Sequence, residues 1–353
     1  MLKIALIGCG RIAKRHAELL GLGQVPGARL VSVCDIRSER AAGFGSQFNV
    51  PHYTDFRAMM TEIRPDVAVV LTESGAHADH VTELAGFGRH IVVEKPMALT
   101  LDDADRMIRA CSQNGVKLFV VKQNRFNLPI LKLRNAITSG RFGKLVLGTV
   151  RVRWCRTQEY YNNDSWRGTW AMDGGVLANQ ASHHIDMLEW MMGDVESVYA
   201  LSSTALVKIE TEDTAVVALR FKSGALGVIE ATTATRPRDL EGSISILGAN
   251  GVVEIGGFAL NQLKTWKFTE TFADDHDVEA RFSVNPPNVY GYGHLAYYNH
   301  VVKCITGGAE QIIDGAQGRR SLDIITAIYE SIDTGLPVSL SGRRAGCRLG
   351  RIG

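Results

Sequence analysis

Over its first 120 residues the chain alternates two patterns of apolar and polar positions. Short β-branched apolar runs occupy residues 3–7, 30–34, 67–71, 90–93 and 117–121. Between them, 11–20, 37–48, 56–63, 77–86 and 101–114 carry apolar residues at helical spacing. Strand and helix in strict alternation predict a parallel sheet covered on both faces. Ser38 before Glu39-Arg40-Ala41, and Thr100 before Leu101-Asp102-Asp103, read as helix starts with acids in the first turn, where they favour the helix dipole.

After about Gln123 the pattern changes. A helical stretch at 129–139 leads into a long alternating strand at 145–155, and another helix is expected over 183–192. Strand-like runs follow at 195–202, 214–221, 225–232, 243–247, 252–255 and 262–268. The joining segments Lys222-Ser223-Gly224 and Gly248-Ala249-Asn250-Gly251 suit hairpins, because Gly and Asn accept positive φ. These runs predict an open, mostly antiparallel sheet. A stretch with Pro286-Pro287 and Tyr290-Gly291-Tyr292-Gly293-His294 reads as loop, and a last helix is expected near 321–334. The end, 341–353, carries Arg343, Arg344, Arg348 and Arg351 among glycines and reads as a flexible basic tail.

Composition narrows the function classes. At 353 residues, 45% hydrophobic and 22% charged, the chain has the balance of a folded protein of about two domains and not of a disordered one. A net charge of +2 gives no bulk attraction to nucleic acid or anionic membrane. The apolar runs fall short of a bilayer span, and the first run ends in a Gly-rich turn instead of a signal-peptide cleavage site, so a cytoplasmic protein is expected. Cys9, Cys34, Cys111, Cys155, Cys304 and Cys347 form no CxxC spacing and read as reduced and structural.

Three motifs carry chemistry. Gly8-Cys9-Gly10-Arg11-Ile12-Ala13 follows the first strand and opens a helix. In such a GxGxxA turn, Gly8 makes the bend, Gly10 leaves room for a pyrophosphate, and Ala13 permits close helix–strand packing. Asp35, at the end of the second strand, suits the adenosine ribose hydroxyls and repels a 2′-phosphate, which favours NAD over NADP; Arg37 nearby softens that preference. Next, Glu94-Lys95-Pro96 ends a strand where such sheets hold their ligands; a lysine there can exchange a proton with a hydroxyl, and the Lys95-Pro96 bond admits the cis form. Taken alone, most such lysines are solvated surface charges. Finally, in Asp173-Gly174-Gly175-Val176-Leu177-Ala178-Asn179-Gln180-Ala181-Ser182-His183-His184-Ile185-Asp186, a helix would put Asn179, His183 and Asp186 on one face. That arrangement suits an imidazole base oriented by a carboxylate; a polar helix cap is the plain alternative, and the set has too few ligands for a metal.

Together, GxGxxA at the N-terminus, EKP near residue 95 and His-x-x-Asp after a Gly-Gly turn resemble the Gfo/Idh/MocA oxidoreductase family, in order and spacing up to about residue 340. The resemblance implies an α/β fold. An N-terminal Rossmann domain (1–122) would be followed by a C-terminal α+β domain on a large open, mostly antiparallel sheet (123–340), for substrate and oligomer contacts, and then the tail (341–353). It implies NAD contacts from Gly8, Gly10, Arg11, Ile12, Asp35, Thr72, Ser74, His77, Glu94, Lys95 and Gln123. Lys95, His183 and Asp186 match the family's catalytic positions. Asn179 stands where inositol-dehydrogenase-like members often have Asp, which argues against a plain inositol dehydrogenase. Thr72-Glu73 replaces a frequent Thr-Pro.

Val121-Lys122-Gln123-Asn124-Arg125, Gln158-Glu159-Tyr160-Tyr161, Trp166-Arg167-Gly168-Thr169-Trp170, Leu240-Glu241-Gly242-Ser243-Ile244 and the Tyr290–His294 stretch look like one subgroup of the family. That subgroup oxidises C3 of UDP-N-acetylglucosaminuronic acid to a 3-keto sugar, which a separate PLP enzyme aminates on the way to diacetamido-uronic acids of lipopolysaccharide. A diphosphate and a carboxylate call for cations, and Arg125, Arg156 and Arg167 are the candidates. Tyr160, Tyr161 and Trp166 suit stacking on sugar or uracil, and Asn179 and Ser182 suit hydroxyl or acetamido oxygens. On a strand only one of Tyr160 and Tyr161 would face a ligand. Oxidising an alcohol requires hydride transfer to the nicotinamide and removal of the hydroxyl proton. His183 needs no pKa shift to accept it near neutrality, so it is favoured as base, with Lys95 polarising the hydroxyl and Asp186 holding the imidazole. A free sugar or inositol dehydrogenase is the alternative substrate reading, and a non-enzymatic dinucleotide sensor the alternative class, though a sensor has no use for Lys95 and His183. The unpaired sheet face implies a homo-oligomer, dimer or tetramer, packed through residues 195–268, and the resemblance implies a tetramer.

Overall fold

A computed structural model describes residues 1–257, 259–283, 291–342 and 345–351. The chain divides into two compact units, residues 1–122 with 294–319, and 123–293 with 320–353.

The first unit is built on a six-stranded sheet of β1 (Leu2–Ile7), β2 (Ala28–Cys34), β3 (His52–Tyr53), β4 (Val67–Val70), β5 (His90–Val93) and β6 (Leu118–Val120), in the order β3-β2-β1-β4-β5-β6. Every pairing is parallel. The central strands are buried over residues 4–7, 67–70 and 91–93, as a sheet covered on both faces requires. Helices Ala13–Gly21, Ser38–Phe48, Phe56–Ile63, His77–Ala85 and Leu101–Gln113 form the crossovers. Thr100 caps the last of these, its Oγ1 accepting from Asp103 N at 3.1 Å. Ser38 lies inside its helix and Arg37 holds the cap position. The strand at 52–53 escaped the sequence pattern because two residues cannot show alternation.

The helix Gly293–Ile305 is the other departure. Its Tyr297, Tyr298, Val301 and Cys304 are fully buried, a helical stripe hidden in a Gly- and Tyr-rich segment that reads as loop. From His294 on it belongs to the first unit, although its place in the chain predicts the second. Beyond it, Val120 N donates to Ile313 O at 3.0 Å, so the chain returns to the edge of the parallel sheet. Pro286, Pro287 and Tyr290 lie outside the described residues.

The second unit carries an eight-stranded sheet: β7 (Leu145–Arg153), β8 (Val195–Ser203), β9 (Thr214–Phe221), β10 (Leu226–Thr232), β11 (Glu241–Gly248), β12 (Gly251–Gly256), β13 (Gln262–Phe268) and β14 (Val338–Ser339). The order is β13-β12-β11-β7-β10-β9-β8-β14, antiparallel except for the β7–β10 pair. Helix Ser182–Met192 lies against β7 and β11. A Cβ on Gly148 of β7 would stand 2.7 Å from Leu188 Cδ1 and Met192 Cγ, so glycine lets the helix sit directly on the sheet. The opposite face bears half-buried and exposed apolar side chains, among them Tyr199, Leu201, Val216, Leu226 and Val228. Residues 345–351 are not a loose tail. Leu349 is 1% exposed, Arg348 pairs with Asp333 at 2.7 Å and lies over the Trp170 ring, and Gly350 N donates to Trp170 O. Arg343 and Arg344 lie outside the described residues.

All six cysteines are free. Burial, followed by the charge of Asp35, pushes the Cys9 and Cys34 thiols up to about 12, as expected for inert thiols. Among the described residues no helix is long and apolar enough to cross a membrane.

Candidate active site

In the first unit the Gly-rich turn stands at the end of β1, where the strand order reverses between β2 and β4. Gly8 has φ +98°, and a Cβ there would lie 2.7 Å from Leu71 O, so no other residue fits. Gly10 is the reverse case: its missing Cβ would meet nothing within 4 Å. That open space in front of the helix Ala13–Gly21 is the room a dinucleotide pyrophosphate requires, and a side chain at Gly10 would fill it. Arg11 is exposed and Ile12 half-buried beside it. Asp35 is half-buried; its Oδ2 accepts from Cys9 N at 2.7 Å and its Oδ1 from Arg37 N at 2.8 Å. The carboxylate is thereby fixed against the turn, and these residues fit NAD.

Thr72, Ser74 and His77 lie where β4 gives way to the next helix. Thr72 Oγ1 bonds His80 Nδ1 at 3.1 Å. Ser74 is buried in a short 3-10 turn. The His77 ring nitrogens lie 2.9 Å from Pro96 O and 3.0 Å from Thr72 O. Burial lowers the His77 pKa, so the neutral ring donates to one carbonyl at a time and ties this loop to the EKP segment.

Glu94 turns inward. His16 Nε2 lies 3.0 Å from Glu94 Oε1, and His16 Nδ1 lies 2.5 Å from Tyr298 Oη; Glu94 Oε2 accepts from Lys95 N at 3.0 Å. Burial alone would raise the Glu94 carboxyl. The hydrogen bond and charge of His16, aided by His294 and Lys95, outweigh it and hold the group at about 2. Lys95 is half-buried, and its bond to Pro96 is cis. His16 was missed in the sequence, yet the signal was there: it lies on the buried face of its helix with Ala13, Ala17 and Leu20.

In the second unit, Gln123–Phe126 forms one 3-10 turn. Gln123 Nε2 lies 3.1 Å from His183 Nε2. Arg125 Nε and Nη2 each donate to Asp186 at 2.8 Å, with both side chains 2% exposed, and the guanidinium lies 4.9 Å from the Trp190 ring centroid. Arg125, expected to hold a substrate anion, thus has its charge matched inside the protein.

Helix Ser182–Met192 begins after Asn179, so Asn179 does not share a helical face with His183 and Asp186 as expected. The Gly-Gly turn continues non-helically to residue 181. Asn179 Nδ2 donates to Asp173 Oδ1 at 2.6 Å, and Ser182 Oγ donates to Asn179 O at 2.9 Å. Beneath this loop Glu212 accepts from Leu177 N and from Tyr329 Oη, at 3.0 and 2.9 Å, while Oε2 accepts no bond among the described residues. Burial pushes Glu212 up to about 7. Nothing in the local sequence marks Glu212 as lying under the loop, because the contact is made by folding.

Tyr160 and Tyr161 lie on a short helix, Gln158–Asn162, instead of a strand. Tyr161 is buried against Thr233, whereas Tyr160 is half-buried between two cations. Arg167 Cζ lies 4.6 Å from the Tyr160 ring and 4.6 Å from the Trp166 ring, and its Nη1 donates to Tyr160 Oη at 2.7 Å. Arg156 Cζ lies 5.4 Å from the Tyr160 ring and is held by Asp239 at 3.1 Å, a partner that no local motif marks.

Residues 2–122 match the oxidoreductase family's NAD-binding Rossmann fold, and residues 134–340 match its C-terminal alpha/beta domain. The chain belongs to the Gfo/Idh/MocA family and is an NAD-dependent oxidoreductase. A WlbA dehydrogenase from Bordetella pertussis, solved in complex with NADH and UDP-GlcNAcA, is 42% identical with a TM-score of 0.89, covering 97% of this chain and 99% of its own. The WlbA dehydrogenase from Chromobacterium violaceum, solved with the same two ligands, is 39% identical with a TM-score of 0.89, covering 96% and 95%. Myo-inositol 2-dehydrogenase of Thermotoga maritima is 28% identical over 96% of this chain and 98% of its own length.

Proposed function

We propose that the protein oxidises the C3 hydroxyl of UDP-N-acetylglucosaminuronic acid to the 3-keto sugar, in the supply of diacetamido-uronic acids for lipopolysaccharide. The observation that carries this reading is the 42% identity, over nearly the whole chain, to a dehydrogenase solved with UDP-GlcNAcA. The paired cations around Tyr160 support it, because guanidinium groups on an aromatic platform suit an anionic, ring-bearing ligand.

NAD, bound through Gly8, Gly10, Arg11, Ile12 and Asp35, with Thr72, Ser74 and His77 lining its loop, supplies the two-electron acceptor. His183 takes up the hydroxyl proton, and Asp186 stabilises the imidazolium that results. Lys95 orients and polarises the hydroxyl, and Glu94 holds Lys95 through its backbone N–H. Asn179 and Ser182 contact neutral sugar oxygens. Arg156, Arg167 and Tyr160 take the anionic part of the substrate. Arg125 acts from behind, on Asp186. A homo-oligomer, closed over the apolar outer face of β8–β10, completes the assembly; light scattering that gives a monomer mass would oppose it.

The test is binding of UDP alone to the NAD-loaded protein by calorimetry. Saturable binding that is lost in Arg156→Ala and Arg167→Ala supports the reading. Absence of UDP binding, with turnover of myo-inositol, assigns the chain to the free-cyclitol dehydrogenases instead.

A further inference from the structure

One 3-10 turn reaches both polar residues of the His-x-x-Asp pair. Gln123 meets His183, and two residues on Arg125 meets Asp186. The Gln123 side chain is buried, and its Oε1 accepts no hydrogen bond among the described residues. The amide therefore has one end on the imidazole and the other unused.

We propose that Gln123 is a positioning residue that follows the proton on His183. A carboxamide carries a donor and an acceptor on the same carbon. Its NH2 donates to Nε2 of the neutral imidazole. The substrate hydroxyl displaces that donor and hands its proton to Nε2, and once the ring is charged the amide turns over and accepts from the new Nε2–H through Oε1. The turn gives up no other Oε1 bond, because there is none to lose. Both protonation states of His183 thus keep a partner in the same place, and the ring does not have to move between them. This gives Gln123 a role toward the imidazole, in place of the cofactor contact that the family resemblance implies. The inference rests on His183 being the base.

The charged groups on the elements packed around His183 within the second unit are paired. On its own helix Asp186 is matched by Arg125. Glu189 is paired with Arg320, and burial holds His184 at about 3, so it stays neutral. In the preceding loop Asp173 accepts from Asn179. Helix Ser182–Met192 packs on β7 and β11 through Gly148 and Gly242, whose missing Cβ atoms would meet Leu188 and His184. Arg151, Arg153 and Glu241 alternate with those positions and pair among themselves on the far face of the sheet.

The test reads the imidazole itself. Full-length protein with 13C-labelled histidine is titrated by NMR, His183 being assigned by the signal lost in His183→Asn. Gln123→Glu can only accept, so it favours the imidazolium and should raise the His183 midpoint by about one pH unit. Gln123→Met removes both bonds, of which the one to the charged ring is the stronger, so it should lower the midpoint. NAD affinity should be unchanged in both variants. Opposite movements of the two midpoints support the proposal. A midpoint that stays at the wild-type value in either variant, or two that move the same way, overturns it. So does a fall in NAD affinity with the midpoints unchanged. Should His183→Asn turn over at the wild-type rate, the base reading fails; the titration result stands apart from that failure.

Discussion

Replacing Arg125 by methionine isolates the energetics beneath the proposed base. The pair it breaks is bidentate and 2% exposed on both sides, so solvent does not screen it. Removing one partner of such a pair leaves a carboxylate buried without its counter-charge, which costs about 3–5 kcal/mol. The lost stack on Trp190 adds to this by roughly 0.5–2 kcal/mol. For a unit of this size each kcal/mol moves the unfolding midpoint by about 2–4 °C, so a fall of about 6–20 °C is expected from the ion pair alone. The double variant Arg125→Met with Asp186→Leu removes both charges, and buried ion pairs exchanged for apolar residues are often neutral in stability. Scanning calorimetry of wild type, both single variants and the double variant closes the cycle. The expected result is a large loss in Arg125→Met that the second substitution largely restores, while turnover stays low because Asp186 is gone. If Arg125→Met unfolds within about 2 °C of wild type, the pair is not the buried, unscreened contact described, and the reasoning fails.

Three further outcomes follow from the same geometry. Gly10→Val should abolish NAD binding with little change in thermal stability, whereas Gly8→Ala should destabilise the fold, because its Cβ meets Leu71 O; NAD titration and calorimetry on both variants check this. NAD should bind more tightly than NADP, and Asp35→Ser should narrow the gap; titration of both cofactors decides it. Glu212, raised to about 7 by burial, stabilises the fold fully below the ordinary carboxyl value of about 4.3 and loses that contribution as pH rises through 7. Glu212→Gln should therefore gain roughly 3–4 kcal/mol over wild type at pH ~8 and almost nothing at pH ~4, read from urea unfolding at both.

The elements legible in the sequence were those whose periodicity and end signals agreed. Residues 56–63, 90–93, 214–221 and 262–268 match their elements to the residue. For 56–63, 214–221 and 262–268 burial is set by a single helix stripe or sheet face, and 90–93 is a short continuous apolar run covered on both faces; the chain writes both patterns directly. The helix Gly293–Ile305 was not legible, because glycine and tyrosine at its start signal a turn while the buried stripe follows only after them. The last residues read as a tail because their arginines dominate the composition, whereas Leu349 and the Arg348–Asp333 pair decide the placement of 345–351. Within the candidate site, the Gly turn, Lys95 and His183 were visible as motifs. Their supports were not: His16 and Tyr298 beneath Glu94, Glu212 beneath the Gly-Gly turn and Asp239 beside Arg156 are all brought in from distant positions. Arg125 was visible as a cation, but only the fold shows that Asp186 claims it.

The most direct test of the account is turnover of UDP-N-acetylglucosaminuronic acid with NAD, followed by NADH formation and by NMR of the product. The account predicts stoichiometric NADH, a sugar nucleotide lighter by H2 with a carbonyl at C3, and a rate roughly 10²–10⁴-fold lower in His183→Asn. No NADH from this substrate, together with NADH from myo-inositol or a free sugar, would contradict it.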